Sequence, residues 1–301
     1  MSHALEDTCE LEAILCCPAC KGDLVFAQSL CECQTCELTY PIENGTYYFV
    51  PVDKAAEPLE FADKAKAIAR RWPSLYHFLL GVMSPVLPSN YYKEVLEQLD
   101  GCLVNIGSGS RSLGKDMIDV DMFDYPNVSV VANIEELPFK QSSIDGILNI
   151  AVLEHVREPR RVIRECHRVL KDGGAVFTVV AFMQPFHASP ADYQRYTKPG
   201  IEYLHREFEL IESGTYGGPV SGFLWIFQEF VALLLSFGIR PVRDLIAMIL
   251  MVLTWPIKLL DLLFRRLPTS TNLASTVFYY GKKMPQRIYK DPVSAASREP
   301  E

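Results

Sequence analysis

Apolar residues follow two different patterns along this chain. Between residues 101 and 183, short apolar runs alternate with amphipathic ones, which predicts a parallel α/β sheet. Cys102–Ile106, Met117–Asp121, Val128–Ala132, Ser143–Asn149 and Ala175–Ala181 read as strands. Pro159–Leu170 carries Val162, Ile163, Cys166, Val169 and Leu170 on one side and reads as a helix, ended by Asp172-Gly173-Gly174. Residues 184–217 read as a polar, aromatic-rich loop, a helix and a sixth strand, Phe208–Ser213, and a seventh is expected at Ser275–Lys282. Residues 11–52 read as short strands, and 53–100 as a helical linker broken by Pro73, Pro85 and Pro88. The second pattern lies at 218–268, where the chain is apolar almost throughout, and residues 284–301 read as a disordered tail.

Charge narrows the partners. The 301 residues carry a formal net charge of -8, which argues against broad electrostatic binding of nucleic acid. Nine cysteines are present, and seven fall within the first 36 residues. Residues 1–15 show no secretory pattern, so a cytoplasmic chain with reduced thiols is expected, which favours metal over disulfide.

Spacing decides among those cysteines. Cys17-Pro18-Ala19-Cys20 and Cys33-Gln34-Thr35-Cys36 are two C-x-x-C pairs twelve residues apart. Each pair can form a tight turn that aims two thiolates at one ion, and the two together close a tetrahedral structural Zn2+ site. Cys16 and Cys31 fit that geometry less well, and Cys9 is expected to be free. With Leu15, Gly22, Leu24, Tyr40-Pro41-Ile42 and Gly45, residues 11–52 resemble the small zinc-ribbon proteins that activate tRNA and protein methyltransferases. In that family the ribbon is a separate subunit; here it would be fused to its partner.

The first α/β strand runs into Gly107-Ser108-Gly109, where glycine lets a backbone approach a ligand closely. The second ends on Asp121, placed where doubly wound folds accept hydrogen bonds from ribose hydroxyls. Leu137-Pro138-Phe139, Ile144-Asp145, Leu153-Glu154-His155-Val156, Pro159 and Arg168-Val169-Leu170-Lys171-Asp172-Gly173-Gly174 follow in order. This run resembles the class I S-adenosylmethionine-dependent methyltransferases, over residues 100–217 and again at 275–283, within a domain expected at 101–283. The resemblance implies a Rossmann-like seven-stranded sheet of order 3-2-1-4-5-7-6, with the apolar stretch 218–268 inserted between strands 6 and 7. It implies that Gly107, Ser108 and Gly109 lie beside the methionine part of S-adenosylmethionine. Asp121 would then hold the ribose, Met122, Asn133 and Ile134 would face the adenine, and Ala151 would lie under the sulfonium. Asn105 and Asn133 stand where the family has acids, which points to an alternative, a cofactor-binding scaffold that has lost catalysis. Only eleven residues separate Gly109 from Asp121, so the first crossover should be short or irregular.

Acceptor chemistry is expected at the C-terminal ends of the strands. Candidates there are His155, His187 and Asp192, the last two in a loop, Gln184–Thr197, that also holds Arg195, Tyr193 and Tyr196. His155 or His187 would serve as base if the acceptor needs one; Asp192 and Arg195 could instead pair and shape the loop.

In the apolar stretch, Phe223–Leu235 is interrupted by Gln228 and Glu229, and Leu245–Ile257 is thirteen residues without charge. Thirteen is short of the ~20 that span a bilayer. With Arg240 and Arg243 before it and Lys258, Arg265 and Arg266 after it, the segment reads as an interfacial or re-entrant helix pair, with a homodimer interface as the rival. The chain is therefore expected to methylate a small-molecule or lipid- or glycan-linked acceptor on the cytoplasmic face of a membrane. A tRNA or protein methyltransferase, suggested by the ribbon, is disfavoured by the acidic balance.

Overall fold

The structure, a computed structural model, describes residues 9–51, 84, 86–87, 89–114, 117–187 and 191–285. Most of the expected linker at 53–100 and of the tail at 284–301 lies outside these residues.

Eleven strands form one continuous sheet. In chain order they are β1 Leu24–Phe26, β2 Leu30–Cys33, β3 Thr39–Glu43, β4 Thr46–Tyr48, β5 Leu103–Ile106, β6 Met117–Asp121, β7 Val130–Val131, β8 Ile144–Ile150, β9 Leu170–Ala181, β10 Phe208–Gly217 and β11 Thr276–Lys283. The order across the sheet is β1-β2-β3-β4-β7-β6-β5-β8-β9-β11-β10. From β7 to β9 neighbours run parallel, while β11 is antiparallel to both β9 and β10. The described helices are α1 Leu11–Ile14, α2 Tyr91–Leu96, α3 Pro159–Val169, α4 Lys198–Leu204, α5 Pro219–Ser236, α6 Arg240–Thr254 and α7 Asp261–Phe264.

The seven strands from β7 to β10 lie in the expected order 3-2-1-4-5-7-6, and the sheet is extended beyond them, which the expectation of a separate ribbon did not include. The N-terminal strands join it: β4 pairs in parallel with β7, Tyr47 opposite Val130 and Tyr48 opposite Val131. Edge strand β7 has unpaired backbone groups that need a partner, and β4 supplies them. A second seam forms where Leu15 bridges Phe139, Cys16 N–H donates to Pro138 O at 2.9 Å and Lys140 N–H to Ile14 O at 2.8 Å. Leu15, Tyr40, Tyr47 and Phe49 consequently share one core with Val130, Leu137 and Phe139.

Cys9 is also corrected, from free thiol to a disulfide with Cys102 at the start of β5. It joins the segment before α1 to the central strands. Strand β9 begins at Leu170, so Asp172-Gly173-Gly174 lies within it and the helix ends one residue early, at Val169. Gly173 takes φ +79 there, a left-handed conformation that glycine adopts without penalty. No helix occupies the described part of the crossover from Gly109 to Asp121.

Between β10 and β11 the chain leaves the sheet as a helical hairpin. Helix α5 turns through Phe237 and Gly238, both with positive φ, into α6. The charge-free run of thirteen residues underestimates the length of the second arm, because Arg240–Phe264 continues as helical turns for 25 residues. Charge does not stop it, since Lys258 and Asp261 are both 1% exposed and engaged. Lys258 Nζ donates to Ser84 O at 2.6 Å. Asp261 accepts from Val220 and Ser221 N–H at 2.8 Å each and so caps the first turn of α5. Gln228 of α5 donates to Thr254 of α6 at 2.6 Å, tying the two arms. Asp261→Ala should cost about 1–2 kcal/mol, as cap removal does, and should open the hairpin's base to limited proteolysis near Gly218. Unchanged cleavage and melting would overturn that role.

Candidate active site and metal centre

The sharp turn after β5 follows from its glycines. Gly107 and Gly109 have φ of +65 and +54. A Cβ on Gly107 would meet Val152 Cγ2 at 2.5 Å, whereas one on Gly109 would meet nothing within 4 Å. The first glycine is therefore packed against the chain after β8, and the second faces open space. Asp121, at the C-terminal end of β6, holds this turn: its Oδ2 accepts from Gly109 N–H at 2.8 Å and its Oδ1 from Phe123 N–H at 3.0 Å. Ser108 lies between the glycines, and Ala151 follows β8 in the left-handed region, φ +58. Asn105 donates to the buried Asp119 at 2.7 Å, and Asn133 accepts from Glu135 N–H at 3.0 Å, opening the short 3-10 turn Ile134–Glu136. Both asparagines thus have structural work. Ile134 is buried, and Met122 is half exposed. One further observation suits a bound ligand at the end of β8: Asn149 is fully buried, and neither amide atom has a partner among the described residues.

Residues 111–178 match the methyltransferase-domain family. That stretch is similar to methyltransferase domains. The chain is 32% identical over 93 residues to the ubiquinone biosynthesis O-methyltransferase of Pseudomonas aeruginosa, a stretch that is 31% of this chain and 35% of that protein. It is 45% identical over 51 residues to a Mycobacterium tuberculosis protein named "Probable S-adenosylmethionine-dependent methyltransferase", covering 17% of this chain and 19% of that one. The chain thus spans about a third or less of the curated relatives it matches. Among solved structures it is similar to the [4+2]-cyclase SpnF, with 15% identity, TM-score 0.40, 64% of this chain and 80% of that chain covered. It is also similar to phosphoethanolamine N-methyltransferase 2 of Haemonchus contortus, with 16% identity, TM-score 0.41, 65% and 53% covered.

The loop after β9 folds back over the end of β8: Tyr193 N–H donates to Glu154 O at 2.8 Å. Arg195 grips both oxygens of Asp192, at 2.6 Å from its Nη2 to Oδ2 and by a second short contact from Nη1 to Oδ1. Arg195 holds the Asp192 carboxyl down at about 2, and the same carboxylate accepts from His187 N–H at 2.8 Å. Asp192 therefore pairs with Arg195 and clasps the loop, the alternative expected beside its place among the catalytic candidates. His187 and His155 do come together, ring centroids 5.3 Å apart and nearly perpendicular. Trp225 of α5 packs on His187 at 5.4 Å, so the apolar hairpin contributes a wall. Burial pushes the His187 imidazole below its ordinary value.

Sequence reasoning passed over Glu154, which figured only as one residue of a motif. Its side chain is fully buried, Oε1 accepts from Ala181 N–H at 3.2 Å, and Oε2 has no partner among the described residues. Burial pushes its carboxyl up. The signal was there, since an acid between apolar Leu153 and Val156 on a strand-to-helix turn has little access to water. The Trp225 contact had no signal, because it joins segments far apart in the chain.

At the other end of the sheet, the thiols of Cys17, Cys20, Cys33 and Cys36 lie within 4.8 Å of one another. Thr35 N–H points at Cys33 Sγ at 3.4 Å, and the Tyr40 hydroxyl lies 3.1 Å from Cys17 Sγ. Four converging sulfurs with hydrogen-bond donors directed at them suit a thiolate-bound ion with no open position.

Proposed function

We propose that this chain transfers the methyl group of S-adenosylmethionine to a small-molecule or lipid- or glycan-linked acceptor at a membrane surface, with the four-cysteine ribbon held by structural Zn2+. The observation that carries this reading is the meeting of three elements at the C-terminal ends of the parallel strands. These are the Gly107–Gly109 turn held by Asp121, the His155/His187 pair, and Trp225 of the apolar hairpin.

Bound S-adenosylmethionine would supply an electrophilic methyl group on a sulfonium. Gly107, Ser108, Gly109 and Asp121 would hold it, with Ile134 and Met122 at its base, Asn133 at the edge and Ala151 beneath. The residues' remaining task is to orient the acceptor and exclude water. His187 is built to take a proton. Its Nδ1 lies 3.1 Å from Pro185 O and 3.3 Å from Arg195 Nη2; donation to the carbonyl, the shorter contact, leaves the lone pair on Nε2. His155 likewise has Nδ1 on Ala191 O. The hairpin supports the membrane part of the reading: α5 and Arg240–Phe264 are long and apolar enough to cross a bilayer by length and composition.

Calorimetry with S-adenosylmethionine, followed by incubation with methyl-labelled cofactor and a total lipid extract, tests this. The wild type should bind, and label should enter the lipid fraction. Asp121→Ala should bind roughly 10- to 100-fold more weakly, the effect of losing hydrogen bonds to a charged group. Binding without transfer to any lipid or soluble extract would replace this reading with the scaffold reading.

A further inference from the structure

The His155/His187 pair is part of a donor set that methyl transfer alone does not require. Glu154, His155 and His187 each offer a ligand atom, all within 4.8 Å of one another. We propose that these three residues bind a divalent first-row transition cation, a second metal site distinct from the ribbon, whose open positions face the acceptor pocket.

Three observations support it. Glu154 Oε2 is wholly buried and has no partner among the described residues, so a lone pair stands unspent where water does not reach. Each histidine has Nδ1 beside a backbone carbonyl, of Ala191 for His155 and of Pro185 for His187, the latter at 3.1 Å and nearer than Arg195 Nη2 at 3.3 Å. Metal-bound imidazoles characteristically donate the other ring N–H in this way, which fixes the ring and leaves Nε2 to the metal. The rings also have suitable spacing. With metal–nitrogen bonds of ~2.1 Å and ring centres roughly 1.2 Å farther out, two imidazoles at a tetrahedral angle would have centroids about 5.3 Å apart. The observed separation is 5.3 Å, with planes at 85°.

The donor chemistry separates this site from the ribbon. Two imidazoles and one carboxylate are harder ligands than four thiolates and suit Mn2+, Fe2+, Co2+ or Zn2+. Asp192 cannot join the set, because Arg195 holds both of its oxygens. Three protein ligands leave positions for an acceptor oxygen, whose proton a Lewis acid makes easier to lose. With the cation bound, His187 would be a ligand and not a base, and the acidified proton of the acceptor would leave to solvent water.

Titration of the full-length, zinc-replete protein with Mn2+, followed by electron paramagnetic resonance of the free ion, tests the site without an acceptor. Mn2+ avoids closed thiolate sites, so the ribbon should be silent. The wild type should bind one equivalent, and its melting temperature should rise with Mn2+. His187→Ala, His155→Ala and the isosteric Glu154→Gln should each weaken binding by about 100-fold, the upper end for disturbed metal shells, and remove the thermal shift. Should Glu154→Gln fail to fold, the two histidine variants decide alone, provided they melt like the wild type without metal. No uptake by the wild type at millimolar Mn2+, or undiminished uptake by the His155/His187 double variant, would overturn the proposal.

Discussion

Replacing Cys20 and Cys36 by serine should strip zinc from the chain, unfold residues 11–52 and weaken cofactor binding at a site that neither cysteine touches. Both thiols are exposed, so the substitutions leave the core untouched and act through the ion. A unit of about forty residues has too little core to fold unaided, and a structural zinc site contributes apparent free energies of about 10–16 kcal/mol. The loss should spread because the ribbon is built into the sheet. With β4 gone, the edge of β7 is bare, and Phe139 loses Leu15 as its backbone partner. Lys21 then no longer donates to Leu137 O, 3.3 Å away, or pairs with Glu165 at 3.1 Å. Those contacts seat the segment from Asn133 to Phe139, where the adenine would lie. Zinc content, thermal unfolding and calorimetric cofactor binding should therefore fall together. If cofactor affinity and melting survive in a zinc-free chain, the ribbon is an appendage and the shared core means little.

How far the sequence foretold this molecule depends on the range of each interaction. The strands from Cys102 to Ala181 were legible because a buried parallel strand is a short apolar run whatever its neighbours. The helix Pro159–Val169 was legible because its buried positions recur at helical spacing, with proline at its first turn. The four sulfurs were legible because C-x-x-C spacing constrains local geometry. The pairing of β4 with β7 was not legible, since Tyr47 and Val130 lie 83 residues apart in the numbering and nothing in either strand names its partner. The Cys9–Cys102 disulfide escaped notice for the same reason, compounded by the expectation of a reduced chain.

The site divides along the same line. The tight turn at Gly107 and Gly109 could be read from its place after a strand, and that Asp121 holds it could not. Asp192 stood open between a catalytic place and a pairing with Arg195, and only packing shows Arg195 on both of its oxygens. Glu154 looked like one letter of a motif until its burial and its unpartnered oxygen gave it a physical problem to solve. Sequence periodicity identifies which face a residue occupies, and only packing tells which lone pairs are left over.

Exchanging Phe223, Phe227 and Phe230 for serine should release the chain from anionic vesicles while leaving the sheet folded. These rings are 66%, 42% and 62% exposed and lie on α5 at helical spacing, outside the buried core. The opposite side of the same helix is fixed: Leu224, Trp225, Gln228 and Ala232 are buried against the domain or the other arm. Helix α6 is more extreme, with Ala247 its one buried residue. A helix apolar all round needs either protein or lipid around it. Burying three phenylalanines contributes on the order of 2 kcal/mol each, so the triple variant should lose most of its partitioning in a flotation assay, roughly a thousandfold or more. Arg240, Arg243, Arg265 and Arg266 flank the apolar turns and would meet the headgroups, so binding by the wild type should also weaken in neutral vesicles or high salt. The rival occupant is a second copy of the chain. It predicts a wild type that ignores vesicles yet sediments as a dimer, and a triple variant that sediments as a monomer; that pair of results would move the hairpin from the membrane to a subunit interface.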